Sequence, residues 1–447
     1  MKMQTIILAM AASLCMWACG DSGKEVINPE PEEPQKVEPT PVNPEPSEPE
    51  EPEEPSQPAG PEDNPETRHS YKPVVLDETQ QVMNSNLADF SWKLFKEAYV
   101  NRDPGVNLMI SPISLEVDLG MFMNGLSGKT LQELLKTLGL DTYTKEQVND
   151  FFHTMMTGIE KADEAAIFKS ANSFWYNKHY TALSAFLTTI QNYYAAKTEA
   201  VDFSDSKTKD IINAWCAENT NNRIPHMVDK TSEDEVFHLM NAVYFKSWWE
   251  TPFVKAETAK QPFHYANGQK EEVDMMHVDH QAFYQETNQY ECAMKPFVDG
   301  AFQMLFVLPK EGVAMEDALT HLDYNAVAKR DRKVNLNLYA PKFTAEYTEE
   351  KLFGLMGNIN PSLTFDPYEM KFFEEKDLSS GLKALQKTFF LMDEEGAEAA
   401  AVTDIIKRNT SVQPPLESKT MRLDRPFVYA IVESNTFCPL FIGYYGR

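Results

Sequence analysis

Few side chains here are placed to carry out chemistry of their own. Asp274, His277 and His280 are the one local group with metal-ligand character. They are not read as a metal site, and no metal or other cofactor is expected. Cys216, Cys292 and Cys438 are far apart and odd in number. They read as buried thiols acting as small apolar residues, with no disulfide framework. No Gly-x-Ser-x-Gly elbow, His-Glu-x-x-His or phosphate loop occurs, which argues against a hydrolase or nucleotide enzyme.

The stretch whose residue types do suggest chemistry is passive. Glu394-Glu395-Gly396-Ala397-Glu398-Ala399-Ala400-Ala401-Val402-Thr403 carries almost no bulk, and Lys407-Arg408 follow it. As an extended strand its side chains alternate: Ala397, Ala399, Ala401 and Thr403 face one side, and Glu398, Ala400 and Val402 the other. A strand entering a packed interior must be small, since overpacking costs about 1–3 kcal/mol per site. Gly396 gives freedom at the bend. Read alone, the same run is equally a helix, because Ala is the best helix former. Lys407 and Arg408 are cations that could pair with a partner's carboxylate. They are equally solvated loop charges.

The elements that must position this stretch lie in the last six-sevenths of the chain. The 447 residues carry a formal net charge of −27, which argues against nucleic acid as a partner. Much of that charge is local: from Glu25 to Glu66, 14 acidic residues face one Lys, a net −13. Runs such as Pro29-Glu30-Pro31-Glu32-Glu33-Pro34 lack backbone donors and repel themselves, so residues 19–70 are expected to form an extended spacer rather than a core. Before it, Lys2, the apolar Thr5 to Leu14 stretch and Ala18-Cys19 read as an export signal over residues 1–18. Cys19 after a small residue resembles the bacterial lipobox, in which the Cys is lipid-modified; Met16 and Trp17 depart from that pattern. This reading implies a lipid-anchored protein of the bacterial outer membrane or cell surface. The alternative is an ordinary secretory signal with an incidental Cys.

From Tyr71 to Arg447 the composition is globular without a second linker, and is expected to form one domain. Helical periodicity marks Asn86–Tyr99, Ser114–Asn124 and Thr130–Leu138, the last ending at Gly139. Strand-like runs are Val236–Phe245, Phe302–Leu308, Val334–Tyr339 and Val428–Glu433. Helices first and strands later predict an α+β fold.

Five blocks resemble the serpin family, in its order and spacing. They are Asn107-Leu-Met-Ile-Ser111-Pro112-Ile-Ser114-Leu; Leu239-Met-Asn241-Ala-Val-Tyr244-Phe245-Lys246-Ser-Trp-Trp249; Asn213-Ala-Trp-Cys-Ala-Glu-Asn219-Thr220 with Arg223-Ile224-Pro225; Arg425-Pro426-Phe427; and Pro439-Leu440-Phe441-Ile442-Gly443. The resemblance implies three β-sheets, about eight or nine helices and an exposed reactive-centre loop. It implies an inhibitor rather than an enzyme, trapping serine or cysteine endopeptidases as a covalent acyl complex when the cut loop enters a sheet. In that frame Glu395 to Thr403 form the hinge, and Ser111, Ser114, Asn241 and Gln386 the shutter beneath the sheet. Trp249 marks the breach, where the loop enters. Two departures are Gln386, where the family often has His, and Ser247, where Gly is usual.

The family cuts fourteen positions beyond the hinge glycine, which gives Thr410–Ser411 and elastase-like or subtilisin-like targets. Arg408–Asn409 is the alternative, for trypsin-like targets. The stretch from Gly396 to Pro426 is longer than in many relatives, with Pro414-Pro415 on its far side. Residues 146–161, which align with the family's heparin-binding helix, are not basic, so no glycosaminoglycan cofactor is expected. A monomer is expected. The rival reading is a non-inhibitory serpin acting as a surface ligand-binding lipoprotein.

Overall fold

Asp77 opens the first helix with a capping box: its carboxylate accepts from the Gln80 backbone N–H at 2.8 Å, and the Gln80 amide oxygen accepts from the Asp77 N–H at 3.2 Å. Thr144 and Gln147 repeat the device at another helix. The computed structural model describes residues 71–103, 105–375, 386–397 and 416–447. All of these lie in the compact unit 64–447.

The first half runs α1 (Glu78–Asn101), β1 (Leu108–Ile110), α2 (Pro112–Met123), α3 (Gly128–Thr137), α4 (Lys145–Glu160), β2 (Ile167–Asn177), α5 (Ser184–Tyr194), β3 (Lys197–Val201) and α6 (Thr208–Asn219). Then come β4 (Phe237–Trp248), β5 (Ala259–His264), β6 (Lys270–Glu286), β7 (Tyr290–Pro296), β8 (Phe302–Pro309), α7 (Met315–Thr320), α8 (Tyr324–Ala328), β9 (Lys333–Pro341), β10 (Phe343–Glu349) and α9 (Leu352–Ile359). The chain closes with β11 (Gln386–Met392), β12 (Gly396–Ala397), β13 (Ser418–Arg422), β14 (Phe427–Glu433) and β15 (Pro439–Tyr445). Each helix and strand expected from periodicity falls within or across one of these. His277 and His280 both lie on β6, and among the described residues no group of His, Cys, Asp and Glu is placed to hold a metal. No helix of the described residues is long and apolar enough to cross a membrane.

Two hydrogen-bonded sheets organise the described residues. One has six strands in the order β10-β11-β12-β4-β2-β3, and the other nine, β1-β15-β14-β8-β7-β6-β9-β13, with β5 paired to β6. The expected second and third sheets join because β6 is 17 residues long. Its last four residues pair with β7, while its middle pairs with β9 and its start with β5. Every residue of β14 and β15 is buried, as expected for strands covered on both faces. α2 is buried nearly all round and packs on β4 and β15.

Inside α2, Glu116 is 1% exposed and has no cationic partner among its hydrogen bonds. The Ser91 hydroxyl of α1 lies 2.6 Å from Glu116 Oε1 and 2.8 Å from Leu87 O. With one hydrogen to give, Ser91 serves both contacts only if Glu116 is itself protonated. Burial pushes its carboxyl up to about 8, against the lowering effect of the Ser91 bond. The native pKa thus exceeds the unfolded one, so this stabilisation is complete below about pH 4.5 and is lost as pH rises through 8. Urea unfolding of the wild type should lose up to about 3 kcal/mol between pH 5 and 7 relative to Glu116→Gln. Parallel stability curves for the two proteins would show that Glu116 is ionised throughout.

Candidate functional site

The centre of the six-stranded sheet holds the features singled out in the sequence. β12 is antiparallel to both β11 and β4, so those two run parallel to each other. Among the described residues no ladder joins β4 directly to β11; the two residues of β12 bridge them at one end. Ala397 pairs with Met392 on one side and Ser247 on the other, and Gly396 pairs with Trp248. Ala397 is 0% exposed. A Cβ on Gly396 would lie 2.1 Å from Ser247 O and 2.7 Å from Trp248 Cα, so glycine is needed here for close backbone approach.

The turn into β12 is held from several sides. Asp393 Oδ1 accepts from the N–H groups of Glu395 at 2.8 Å and Gly396 at 3.0 Å, closing an Asx turn. Burial raises the Asp393 carboxyl despite these donors. Trp249 donates its backbone N–H to Glu395 O at 2.8 Å and its indole N–H to Asp393 O at 3.0 Å. Its ring is stacked 4.4 Å from Phe297 at 11°. Phe253 N–H donates to Glu394 O at 2.8 Å. The Glu394 carboxylate accepts from Lys342 Nζ at 2.9 Å and Thr258 Oγ1 at 3.0 Å. Burial opposes ionisation of Glu394, but Lys342 holds its carboxyl below the usual range. Lys255 pairs with the Glu395 carboxylate.

Of the shutter residues, Gln386 and Ser111 are joined. Gln386 Oε1 accepts from Ser111 N at 2.8 Å, its Nε2 donates to Ser111 O at 2.8 Å, and Ser111 Oγ donates to Leu440 O at 2.7 Å. The amide thus grips the backbone where β1 enters α2, and it needs both a donor and an acceptor to do so. Ser114 is buried one turn further along α2. Asn241 faces away from Gln386: its Nδ2 donates to Ser170 Oγ at 2.8 Å and to Asn172 Oδ1 at 2.5 Å, both on β2. Its Oδ1 is buried without a partner, as is Ser247 Oγ. Two polar anchors thus stand on opposite sides of the β4–β11 gap, without a bond between them among the described residues.

Beyond the loop, β13 is the edge strand of the larger sheet, paired in parallel with β9. Ionic contacts secure it. Lys419 Nζ lies 2.8 Å from Glu286 and 3.2 Å from Glu417, Arg332 pairs with Glu417, and Lys310 lies 3.3 Å from Glu286. Lys419 first, and then Lys310, hold the Glu286 carboxyl down to about 2 against its burial. Sequence reading missed this cluster, because its members are dispersed from 286 to 419. Glu398, Ala399, Ala400, Ala401, Thr403, the bonds Arg408–Asn409 and Thr410–Ser411, and Cys19 lie outside the described residues.

A six-stranded sheet whose strands β4 and β11 are bridged by a two-residue strand, beside a larger mixed sheet, defines an α+β fold. The family model for serpin (serine protease inhibitor) matches residues 85–446; the chain belongs to the serpin family. An uncharacterized serpin-like protein of Thermococcus kodakarensis is 28% identical, over 86% of this chain and 92% of its own length. The alpha-1-antiproteinase of Rattus norvegicus is 27% identical, over 82% and 89% respectively. The native-state crystal structure of tengpin, a thermophilic serpin, superposes with a TM-score of 0.72 at 29% identity, covering 85% of this chain and 98% of that one. Serpins are in general protease inhibitors rather than enzymes.

Replacing Gln386 by Ala strands the buried N–H and C=O of Ser111. We expect the native state to lose about 2–4 kcal/mol in urea unfolding. A loss below about 0.5 kcal/mol would mean that the Gln386–Ser111 pair does not hold the two elements together.

Proposed function

We propose that this chain is an inhibitor that traps serine, and by the same chemistry cysteine, endopeptidases as a covalent acyl complex. The observation that carries the reading is β12: Gly396 and Ala397 already sit between β4 and β11. The target's nucleophile would attack the carbonyl carbon of Thr410, forming an ester or thioester, and the Ser411 amine would leave with a proton from the protease's own acid. The freed strand from Ala397 onward would then extend β12 down the gap, adding backbone hydrogen bonds on both sides. Thr at the cut favours elastase-like or subtilisin-like proteases; cutting at Arg408–Asn409 would serve trypsin-like ones and leave a shorter inserting strand. The resemblance to the rat antiproteinase supports the same class of partner. Cys19 is proposed as a lipid attachment site and residues 19–70 as a stalk, placing a monomeric domain at a bacterial surface. Neither nucleic acid nor a glycosaminoglycan is proposed as a partner.

Incubation with elastase-like, subtilisin-like and trypsin-like enzymes should give, with at least one, an adduct that survives denaturing electrophoresis, and loop cleavage should sharply raise the melting temperature. Mass analysis of the released C-terminal peptide should begin at Ser411, whereas a start at Asn409 would move the bait to Arg408. Ala399→Arg should turn the inhibitor into a substrate. Cleavage by every protease without an adduct would instead support a non-inhibitory, ligand-binding serpin.

A further inference from the structure

Lys295, on β7, is 1% exposed although it is a lysine. Its Nζ donates to Thr251 O at 2.5 Å and lies over two aromatic rings, 5.1 Å from the Trp249 centroid and 4.7 Å from that of Phe253. All three partners belong to the turn leaving β4, residues 249–253. That same turn grips the hinge: Trp249 donates to Glu395 O and Asp393 O, and Phe253 to Glu394 O. Its hydrogen bond and ring contacts are all with this turn, and Glu250 of the same turn adds an electrostatic attraction. A cation so desolvated interacts with aromatic faces more strongly than at an exposed site.

We propose that Lys295 is a positioning residue for loop insertion: by fixing the 249–253 turn from behind, its ammonium aims the hinge into the gap between β4 and β11. The proposal rests on the inhibitory reading above. The charged and titratable groups facing Lys295 are Glu250 on the turn and His280 on β6. Burial lowers the Lys295 amine to about 7, partly offset by Glu250. Burial, and then Lys295 itself, lower the His280 imidazole to about 3, and its Nε2 has no partner. His280 therefore stays neutral where Lys295 changes charge. Below pH 7 the ammonium holds both rings and Thr251 O; above it the neutral amine keeps only the hydrogen bond, and the turn loosens its grip on Glu394 and Glu395.

The test is the number of inhibitor molecules cleaved per protease trapped, measured from pH 6 to 9 together with tryptophan emission. The wild type should become at least about threefold more substrate-like as pH rises through 7, with an emission change of the same midpoint. Lys295→Met should be as substrate-like at pH 6 as the wild type is at pH 9, with no step in either readout. Lys295→Gln, which can still donate to Thr251 O, should also lack the step, and it serves if the Met variant does not fold. A variant that keeps the wild-type pH profile overturns the proposal. If neither wild type nor variant traps any protease, the inhibitory reading fails on its own. The same comparison is then made on uptake of a synthetic peptide of residues 397–410 by the intact protein, where an unchanged pH profile again overturns the role of Lys295.

Discussion

The fold turns on two parallel strands that share a sheet without sharing a ladder. A sheet normally satisfies each inner strand on both edges, and buried backbone groups left without partners are costly. Here β4 and β11 are bridged at one end by two residues. The surroundings are built to tolerate this: α2 packs against β4, Gln386 ties β11 to the start of α2, and Asn241 ties β4 to β2. Each strand has its own anchor, so neither needs the other. A third strand could therefore enter without first breaking a bond between Gln386 and Asn241.

Much of this was legible in the sequence, for a physical reason. A chain that must slip between two strands cannot carry bulk, and one that passes within contact distance of backbone cannot carry a Cβ. Gly396 and Ala397 meet these demands; composition shows the lack of bulk, but the role of Gly396 is close backbone approach to Ser247 O rather than freedom at a bend. Helix periodicity and the buried runs of β14 and β15 were legible for a similar reason, since one-sided or two-sided burial dictates the spacing of apolar residues.

What the sequence hid was direction and partner. Gln386 could be assigned to the underside of the sheet, but not that it would grip the backbone of Ser111 rather than a side chain. Asn241 has the same composition whether it turns to β11 or to β2. Lys295, within Ala293-Met294-Lys295-Pro296, carries no local sign of its burial; only the fold sets it behind Trp249. Glu116, in a largely apolar helix, gave no hint that Ser91 lay opposite. Pairings across such separations are tertiary facts, which local pattern does not encode.

The ionic cluster at β13 fixes where the chain resumes after residue 415. The strand after the loop is fastened to a different sheet from the strand before it, through β9, Glu286 and Glu417. β12 and β13, on either side of residues 398–415, are thus held in different sheets. Several ion pairs hold the β13 side, and the turn into β12 is held through Trp249, Phe253 and Lys342. A cut within residues 398–415 would leave the two new chain ends attached to different sheets.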